Sequence, residues 1–600
     1  MTRPFRVLVV GGAGVFGSRL VDAILASTDW TVVVAGRDLE RARSFAASRN
    51  TPLVARSHGR VFATRINTAD RTRAAILATE ADVVVDAAGP YQDAPYTLAY
   101  NCIAARVPYI DLADARQFVA SFGPTLDRFA RAMAVPALTG ASSTPALSNA
   151  ALDAITRDWT RVDTVTVAIS PGNRAPRGHA VVRAILSYVG RPLRLLLDGR
   201  RTERPGWGMT QRMHFPGLGP RWLSLCDTPD LDIIPARLAV RRTALFLAGL
   251  ELPPLHLGLA AASLLVRARL LRTLVPVASA ARAAASLLQP FGTDRGGMLV
   301  QAEGRDAQDR PVRARWSLVA EGGDGPTIPA LPALAMLRRI AAGRSPSPGA
   351  RPCAGLLHID EIEAEMRPYR IAVTRSVEFV APGPFQRALG PRFHALPPAL
   401  RVLHGTGFWE VFNGTAAVLA PTTRIARIAA RLTGFPTRAG IVAARVTIAR
   451  TPTGETWTRT FGARTFSSHM AATGRPDEIE ERFGPLRFRM ALDATPHALA
   501  YTIMGWRIGF LRLPRRLAPA AVAAESVDAH GRFRFDVSVR LPLGLGQLAL
   551  YTGILEPEQV PPRPMPRPAP RHRTLLISAP ASRRQNEMQS DPVPAQVRNP

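Results

Sequence analysis

Gly12, Gly14 and Gly17 form a GxGxxG spacing directly after the apolar run at residues 7–10. That spacing suits a pyrophosphate. Gly12 permits a tight turn, Gly14 lets backbone come close to phosphate, and Gly17 lets a following helix pack against the strand. The helix N-terminus adds free N–H groups and the positive end of its dipole. Gly12, Ala13, Gly14, Val15, Phe16 and Gly17 are therefore the candidate phosphate cradle. The plainer alternative is a glycine-rich turn that binds nothing.

An NAD site places Asp or Glu about 20 residues further on, against the ribose 2′-hydroxyl. Gly36 stands there instead, and Arg37 follows. The planar donor fork of arginine pairs with a 2′-phosphate, so Arg37 favours NADP over NAD. Asp38 keeps NAD open, either as a ribose partner or as a helix cap. Ala88, Gly89 and Pro90 follow the apolar run 83–86 and are small enough to border the nicotinamide. Tyr91 either stacks nearby or is an ordinary turn residue.

The inventory also excludes chemistry. The 600 residues contain no lysine, so all 76 basic residues are arginine, against 46 acidic ones. There is no P-loop lysine, no Schiff-base lysine and no lysine partner for a catalytic tyrosine. The net charge of +30 would suit nucleic acid. No recognition module accompanies it, and the arginine, alanine and proline bias fits a GC-rich bacterial coding sequence, so no nucleic-acid partner is expected. Cys102, Cys226 and Cys353 lie far apart. They make no metal spacing and no disulfide framework, as in a cytoplasmic protein. The N-terminal apolar run is too short for a signal peptide.

The elements that must position these residues follow from periodicity. Short apolar runs at 7–10, 31–35, 61–64, 82–86 and 107–110 alternate with helical stretches at 16–25, 39–47, 71–78 and 96–105. That pattern predicts an α/β, Rossmann-type doubly wound parallel sheet over 1–150. Residues 151–355 read as an α+β domain with a mixed sheet. It has a strand at 162–169, a hairpin of 298–304 with 312–320, a helix at 330–340 and a boundary at 344–351. A linker is expected at 356–384. Residues 385–556 read as a β-rich antiparallel domain with a few helices at 384–405. Its clearest segment sets Phe533, Phe535, Val537, Val539 and Leu541 against Arg534, Asp536, Ser538 and Arg540. The tail 557–600 alternates proline with arginine and is expected to be disordered.

The glycine loop, Gly36-Arg37, residues 86–91 and residues 107–112 together resemble the NADP-binding domain of saccharopine dehydrogenase-like proteins. The resemblance continues through residues 140–145 and 324–329, and so covers about 5–355. It implies a Rossmann domain, a second domain closing over the nicotinamide, and pyridine-nucleotide oxidoreductase chemistry. It does not imply saccharopine as substrate. Residues 389–393, 396–405, Trp457, Arg459, Phe461 and 551–553 resemble a domain of unknown function found behind such modules.

Several residues stay open as candidates. Asp114 only approximates the acidic residue that the family often carries. His179 and Tyr188 are proton donors by residue type alone, and the catalytic residues are unassigned. Trp409, Phe412, Trp457, Phe461, Trp506 and Tyr551 either fill a core or line an apolar site. His404, Arg459 and His469 form no recognisable catalytic set. The apolar stretch 245–275 holds Pro253, Pro254 and His256 and is too short to span a membrane. It reads as a pocket wall, a dimer interface or an interfacial helix. The reading as a whole is an NADP-dependent oxidoreductase for a small, bulky or lipid-like molecule. Its alternative is a non-catalytic NADP-holding protein with a ligand-binding C-terminal domain. A homodimer and peripheral membrane contact both remain open.

Overall fold

The computed structural model describes residues 3–50, 61–70, 72–176, 179–405, 407–451 and 453–559; the side chains of Ala74, His179 and Ala180 are not described. The expectation for 560–600 lies outside these residues.

The first sheet has seven strands, all parallel. β1 (Arg6–Val10), β2 (Thr31–Gly36), β3 (Val61–Arg65), β4 (Val83–Asp86), β5 (Tyr109–Asp111) and β6 (Pro136–Thr139) run in the spatial order β6-β5-β4-β1-β2-β3. Helices α1 (Val15–Ser27), α2 (Leu39–Arg49), α3 (Arg73–Ala78), α4 (Thr97–Ala104) and α5 (Arg116–Ala132) connect them. Strands β1, β2 and β4 are almost entirely buried because helices cover both faces. The order reverses between β1 and β4, which is where doubly wound sheets bind ligands. The seventh strand, Gly349–Pro352, comes from the stretch expected to be a boundary and pairs with β6. Its sequence carries no β-branched residue. Pairing makes it a strand, and Asp127 helps by accepting from the Ala350 backbone N–H at 2.9 Å.

The second sheet is mixed. Strand Arg161–Ser170 pairs parallel with Thr243–Ala248 and antiparallel with Gly296–Arg305. The latter forms the expected hairpin with Pro311–Ala320. Residues 356–384 differ from the linker expectation. They hold a helix, Ile359–Met366, and an edge strand, Ile371–Phe379, paired with Pro311–Ala320. The edge strand is mostly wet even though Ile371, Ala372, Val373, Val377 and Phe379 are apolar, and the polar residues 374–376 and Glu378 break its apolar run. The stretch 245–275 divides into strand Thr243–Ala248 and helix Pro253–Arg267. Among the described residues no helix is long and apolar enough to cross a membrane.

The third region is an antiparallel barrel. Ten strands follow one another around it: Trp409–Leu419, Gly440–Thr451, Gly454–Phe461, Arg464–Ala472, Glu478–Phe483, Leu486–Ala494, Ala498–Ile508, Ala520–Val527, Phe533–Arg540 and Gln547–Pro557. The last pairs with the first, so the sheet closes and removes its own edges. The short strand Leu511–Leu513 hangs on the end of Ala498–Ile508. Phe533 and Phe535 point inward and Arg534 outward, as the alternation requires. The helices Pro384–Leu389 and Pro398–His404 pack their apolar side chains into the same core.

Candidate functional site

The glycine loop connects β1 to α1 at the sheet's switch point. Gly11 carries the left-handed backbone conformation, at φ +76°. The tight turn therefore sits one residue earlier than the spacing suggests, because the chain must bend immediately after Val10. The Gly11 N–H donates to the Ala35 carbonyl at 2.7 Å and the Gly14 N–H to the Gly11 carbonyl at 2.9 Å. A Cβ on Gly17 would lie 2.2 Å from the Gly11 oxygen. Only glycine lets the helix sit so close to the loop. A Cβ on Gly14 would meet only that oxygen, at 3.0 Å. The Gly14 side of the cradle is thus open. α1 starts from Gly14 with no side chain capping it and no acidic residue in its first turn, so its N-terminal N–H groups stay available to an anion.

At the end of β2, a Cβ on Gly36 would have no neighbour within 4 Å. Arg37 beside it is exposed. Asp38 is a helix cap, its carboxylate accepting from the Arg41 backbone N–H at 3.0 Å. Arg41 was not singled out by spacing. Its guanidinium donates to the Ala13 carbonyl at 3.1 Å, which brings a second cation to the glycine loop. Ala88, Gly89 and Pro90 are exposed at the C-terminal end of β4. Tyr91 is buried, with its hydroxyl donating to the Asp86 carbonyl at 2.7 Å. It fastens the turn rather than offering a free ring.

Two carboxyls that the sequence reading passed over hold this edge together. Asp86 and Asp111 are register partners on β4 and β5. Asp86 accepts from the Ala88 N–H at 2.9 Å, and burial raises its pKa to about 6. Asp111 accepts at one oxygen from the N–H groups of Ala113 and Gly140 and from the Thr139 hydroxyl. Its other oxygen is buried without a partner. Burial outweighs those donors and raises its pKa to about 7. Both residues shape the loops that border the cofactor side.

A second group gathers where the first two domains meet. Arg116, at the start of α5, bonds Asp232 at 2.6 Å and Asp227 at 3.2 Å in the second domain. Tyr188 Oη and Cys226 Sγ lie 3.0 Å apart. Burial pushes both pKa values up, that of Cys226 to about 12, and the charges of Asp114 and Asp227 add to the effect. Asp114 is exposed, yet the surrounding protein raises its pKa. Asp114 and Asp227 are thus near enough for their charges to act on Tyr188 and Cys226. The helix His179–Tyr188 carries both donor candidates, but the His179 side chain lies outside the description.

His256 is a core residue. Its Nδ1 accepts from the Leu250 N–H at 3.3 Å, so its Nε2 donates to Ser224 at 3.0 Å and cannot accept a proton there. Burial lowers its pKa to about 4. In the barrel, Phe412, Trp457, Phe461, Trp506 and Tyr551 pack in the interior cluster, whereas Trp409 packs at the junction with the second domain, against Gly199 and Arg241. Glu525 accepts from Tyr501 at 2.8 Å and pairs with His404 at 2.5 Å. Arg459 donates to Ser468 at 2.8 Å. His469 points outward to Thr453, so His404, Arg459 and His469 do not form one set. Among the described residues no group of His, Cys, Asp or Glu could hold a metal.

Residues 7–153 match the family model of the saccharopine dehydrogenase NADP binding domain. The N-terminal domain is of that kind. Residues 396–555 match a domain of unknown function (DUF4166), which is fused behind it. Among solved structures, the apo histidine-tagged saccharopine dehydrogenase (L-Glu forming) from Saccharomyces cerevisiae is 13% identical. That match covers 63% of this chain and 100% of the yeast chain, with a TM-score of 0.45. GenD2 from gentamicin A biosynthesis, in complex with NAD, is 14% identical over 50% of this chain and 70% of its own, with a TM-score of 0.25. Menthone neomenthol reductase from Mentha piperita is 20% identical over 15% of this chain and 33% of its own, with a TM-score of 0.14. No curated protein matches the chain. The NADP-binding family makes NADP the cofactor. The open Gly14 side, the uncapped start of α1 and the space beside Gly36 fit that molecule.

Proposed function

We propose that the protein is an NADP-dependent oxidoreductase acting on a small molecule where its first two domains meet. The observation that carries this reading is the phosphate cradle. A helix start without cap or acid stands over a loop whose Gly17 tolerates no side chain, in a domain matching an NADP-binding family. Residues Gly12 to Gly17 would hold the pyrophosphate, and Arg37 with Arg41 the 2′-phosphate. Ala88, Gly89 and Pro90 would border the nicotinamide. When bound, the cofactor supplies or accepts a hydride. Tyr188 Oη keeps its proton at neutral pH and is steadied by Cys226. It is the group best placed to hydrogen-bond a substrate carbonyl or hydroxyl. The partly buried Val182, Ile185 and Leu259 belong to the same apolar cluster as Tyr188, which favours a bulky apolar substrate. Cys102, Cys226 and Cys353 are free and buried, in keeping with a cytoplasmic setting.

Titration of the purified protein with NADPH and NADH, followed by nucleotide fluorescence, tests the reading. NADPH should bind more tightly, and Arg37→Ala should weaken NADPH binding about tenfold while leaving NADH unchanged. Failure to bind either nucleotide would overturn it. A second reading, an NADP-holding regulator with a ligand-binding barrel, draws on the polar cluster of His404, Glu525 and Tyr501 inside the barrel. Turnover of the bound nucleotide in cell extract separates the two, since a regulator would leave it unchanged.

A further inference from the structure

We propose that the end of the barrel remote from the dehydrogenase domains docks on an anionic lipid bilayer. In an antiparallel barrel, successive connections alternate between the two ends. One end is attached: Glu410, at the start of the first strand, pairs with Arg161 and Arg305 of the second domain, and Glu558, just past the last strand, pairs with Arg241. The other end carries the connections 420–439, 462–463, 484–485, 509–519 and 541–546. None of them contains an aspartate or a glutamate. Arginines stand on two of them, including Arg424, Arg427 and Arg431 on one and Arg512, Arg515 and Arg516 on the other.

The apolar residues at this end are placed where a water-soluble surface would not put them. Helix Arg424–Thr433 turns Ala426 and Ala430 toward the barrel and leaves Ile425, Ile428 and Leu432 exposed among its arginines. Leu432, Ile441, Phe510 and Leu543 are 83%, 81%, 95% and 78% exposed. Leu432, Phe510 and Leu543 come from the three long connections, which are neighbours around the barrel, and Ile441 from the strand start just after the first of them. Two of those connections, 420–439 and 541–546, are also tied together. The Thr423 hydroxyl donates to the Leu545 carbonyl at 2.6 Å, and the Gln547 N–H to the Thr422 hydroxyl at 2.8 Å. Monomers rarely expose a contiguous apolar patch of this kind.

The pairing of features selects the occupant. Apolar tips can enter the acyl boundary while arginines beside them reach lipid headgroups. Anionic lipid supplies the negative charge that these connections lack. A second copy of the same patch would bring arginine against arginine. A single-stranded nucleic acid would need several aromatic platforms, and Phe510 is the one exposed aromatic at this end.

The test is cosedimentation of the full-length protein with vesicles of phosphatidylcholine, with and without phosphatidylserine. Binding is expected only with phosphatidylserine and should weaken as salt rises. Phe510→Ser with Leu543→Ser should reduce it by roughly tenfold or more. Arg512→Gln with Arg515→Gln and Arg516→Gln should do the same and flatten the salt dependence, at about fivefold per arginine. Circular dichroism and thermal unfolding like the wild type's in both variants show that the barrel is folded, and unchanged NADPH affinity keeps this outcome separate from the proposed oxidoreductase activity. The proposal is overturned if the wild type ignores phosphatidylserine, or if both variants bind as the wild type does. It is also overturned if the variants change only the protein's mass in gel filtration, which would make the patch a contact between copies.

Discussion

The three glycines of the cradle are not equivalent, and single substitutions should separate them. At Gly14 a new side chain would meet one oxygen at the edge of contact and otherwise project into the ligand's space. Gly14→Val should cut NADPH affinity at least about tenfold with thermal stability nearly unchanged. At Gly17 the added Cβ would overlap the Gly11 oxygen. Gly17→Ala should cost about 2 kcal/mol of stability, read by chemical denaturation. A loss of affinity at Gly14 matched by an equal loss of stability would show that the cradle is only structural. Asp111 offers a test of a different kind. Its folded pKa is raised to about 7, above the unfolded value of 3.8, and that of Asp86 to about 6. Between pH 4 and 7 the unfolded chain has released protons that the folded chain keeps, so stability falls as pH rises through that window. Asp111→Asn should flatten the fall; denaturation at pH 5 and pH 8 with the same slope as wild type would refute the assignment. The glycine spacing was legible because it depends on local sterics. Arg41, Asp86 and Asp111 were not, because their roles arise from contacts between separate strands and loops.

At the scale of elements, alternation identified individual barrel strands such as Phe533–Arg540, but no local pattern announces that a sheet closes on itself. Closure is a relation between residues 409–419 and 547–557, more than a hundred positions apart in sequence. The same blindness hid strand Gly349–Pro352, which has no β-branched residue, and strand Ile371–Phe379, whose apolar residues are largely exposed, because pairing rather than burial holds them. The closing seam can be tested directly. Gly414 lies on the first strand, where a Cβ would stand 1.9 Å from the Ile554 oxygen on the last. Gly414→Val should force the two strands apart and cost about 2–3 kcal/mol. Hydrogen exchange should then rise at the amides of Trp409–Leu419 and Gln547–Pro557 while the strands of the first sheet stay protected. Uniform loss of protection across the chain would instead mean that the barrel does not open as a unit.

Across the whole molecule, charged side chains help fasten the barrel to the first two domains. Glu410 accepts from Arg161 and Arg305, both at 2.7 Å, and Arg161 also bonds Asp163, which is itself buried. The side chains of Glu410, Arg161 and Arg305 are 14%, 18% and 15% exposed, so solvent screens them little. The two guanidinium groups hold the Glu410 pKa below its usual value despite its burial. Removing this carboxylate takes away the partner that Arg161 and Arg305 share and leaves them Asp163 and Asp309 alone, in a place where both have lost most of their water, which costs more than an exposed ion pair would return. Glu410→Ala should therefore destabilise the junction by about 3 kcal/mol. Because each part keeps its own apolar cluster, the expected result is separation rather than collapse. Two unfolding steps should replace one in calorimetry, and protease should cut near residues 380–409 while NADPH affinity holds. A single transition shifted as a whole would mean that the barrel cannot stand without the domains it is attached to. If two steps are seen, the proposed nucleotide chemistry and the proposed bilayer contact belong to parts that fold independently and are held in register by the pairs of Glu410 with Arg161 and Arg305 and of Glu558 with Arg241.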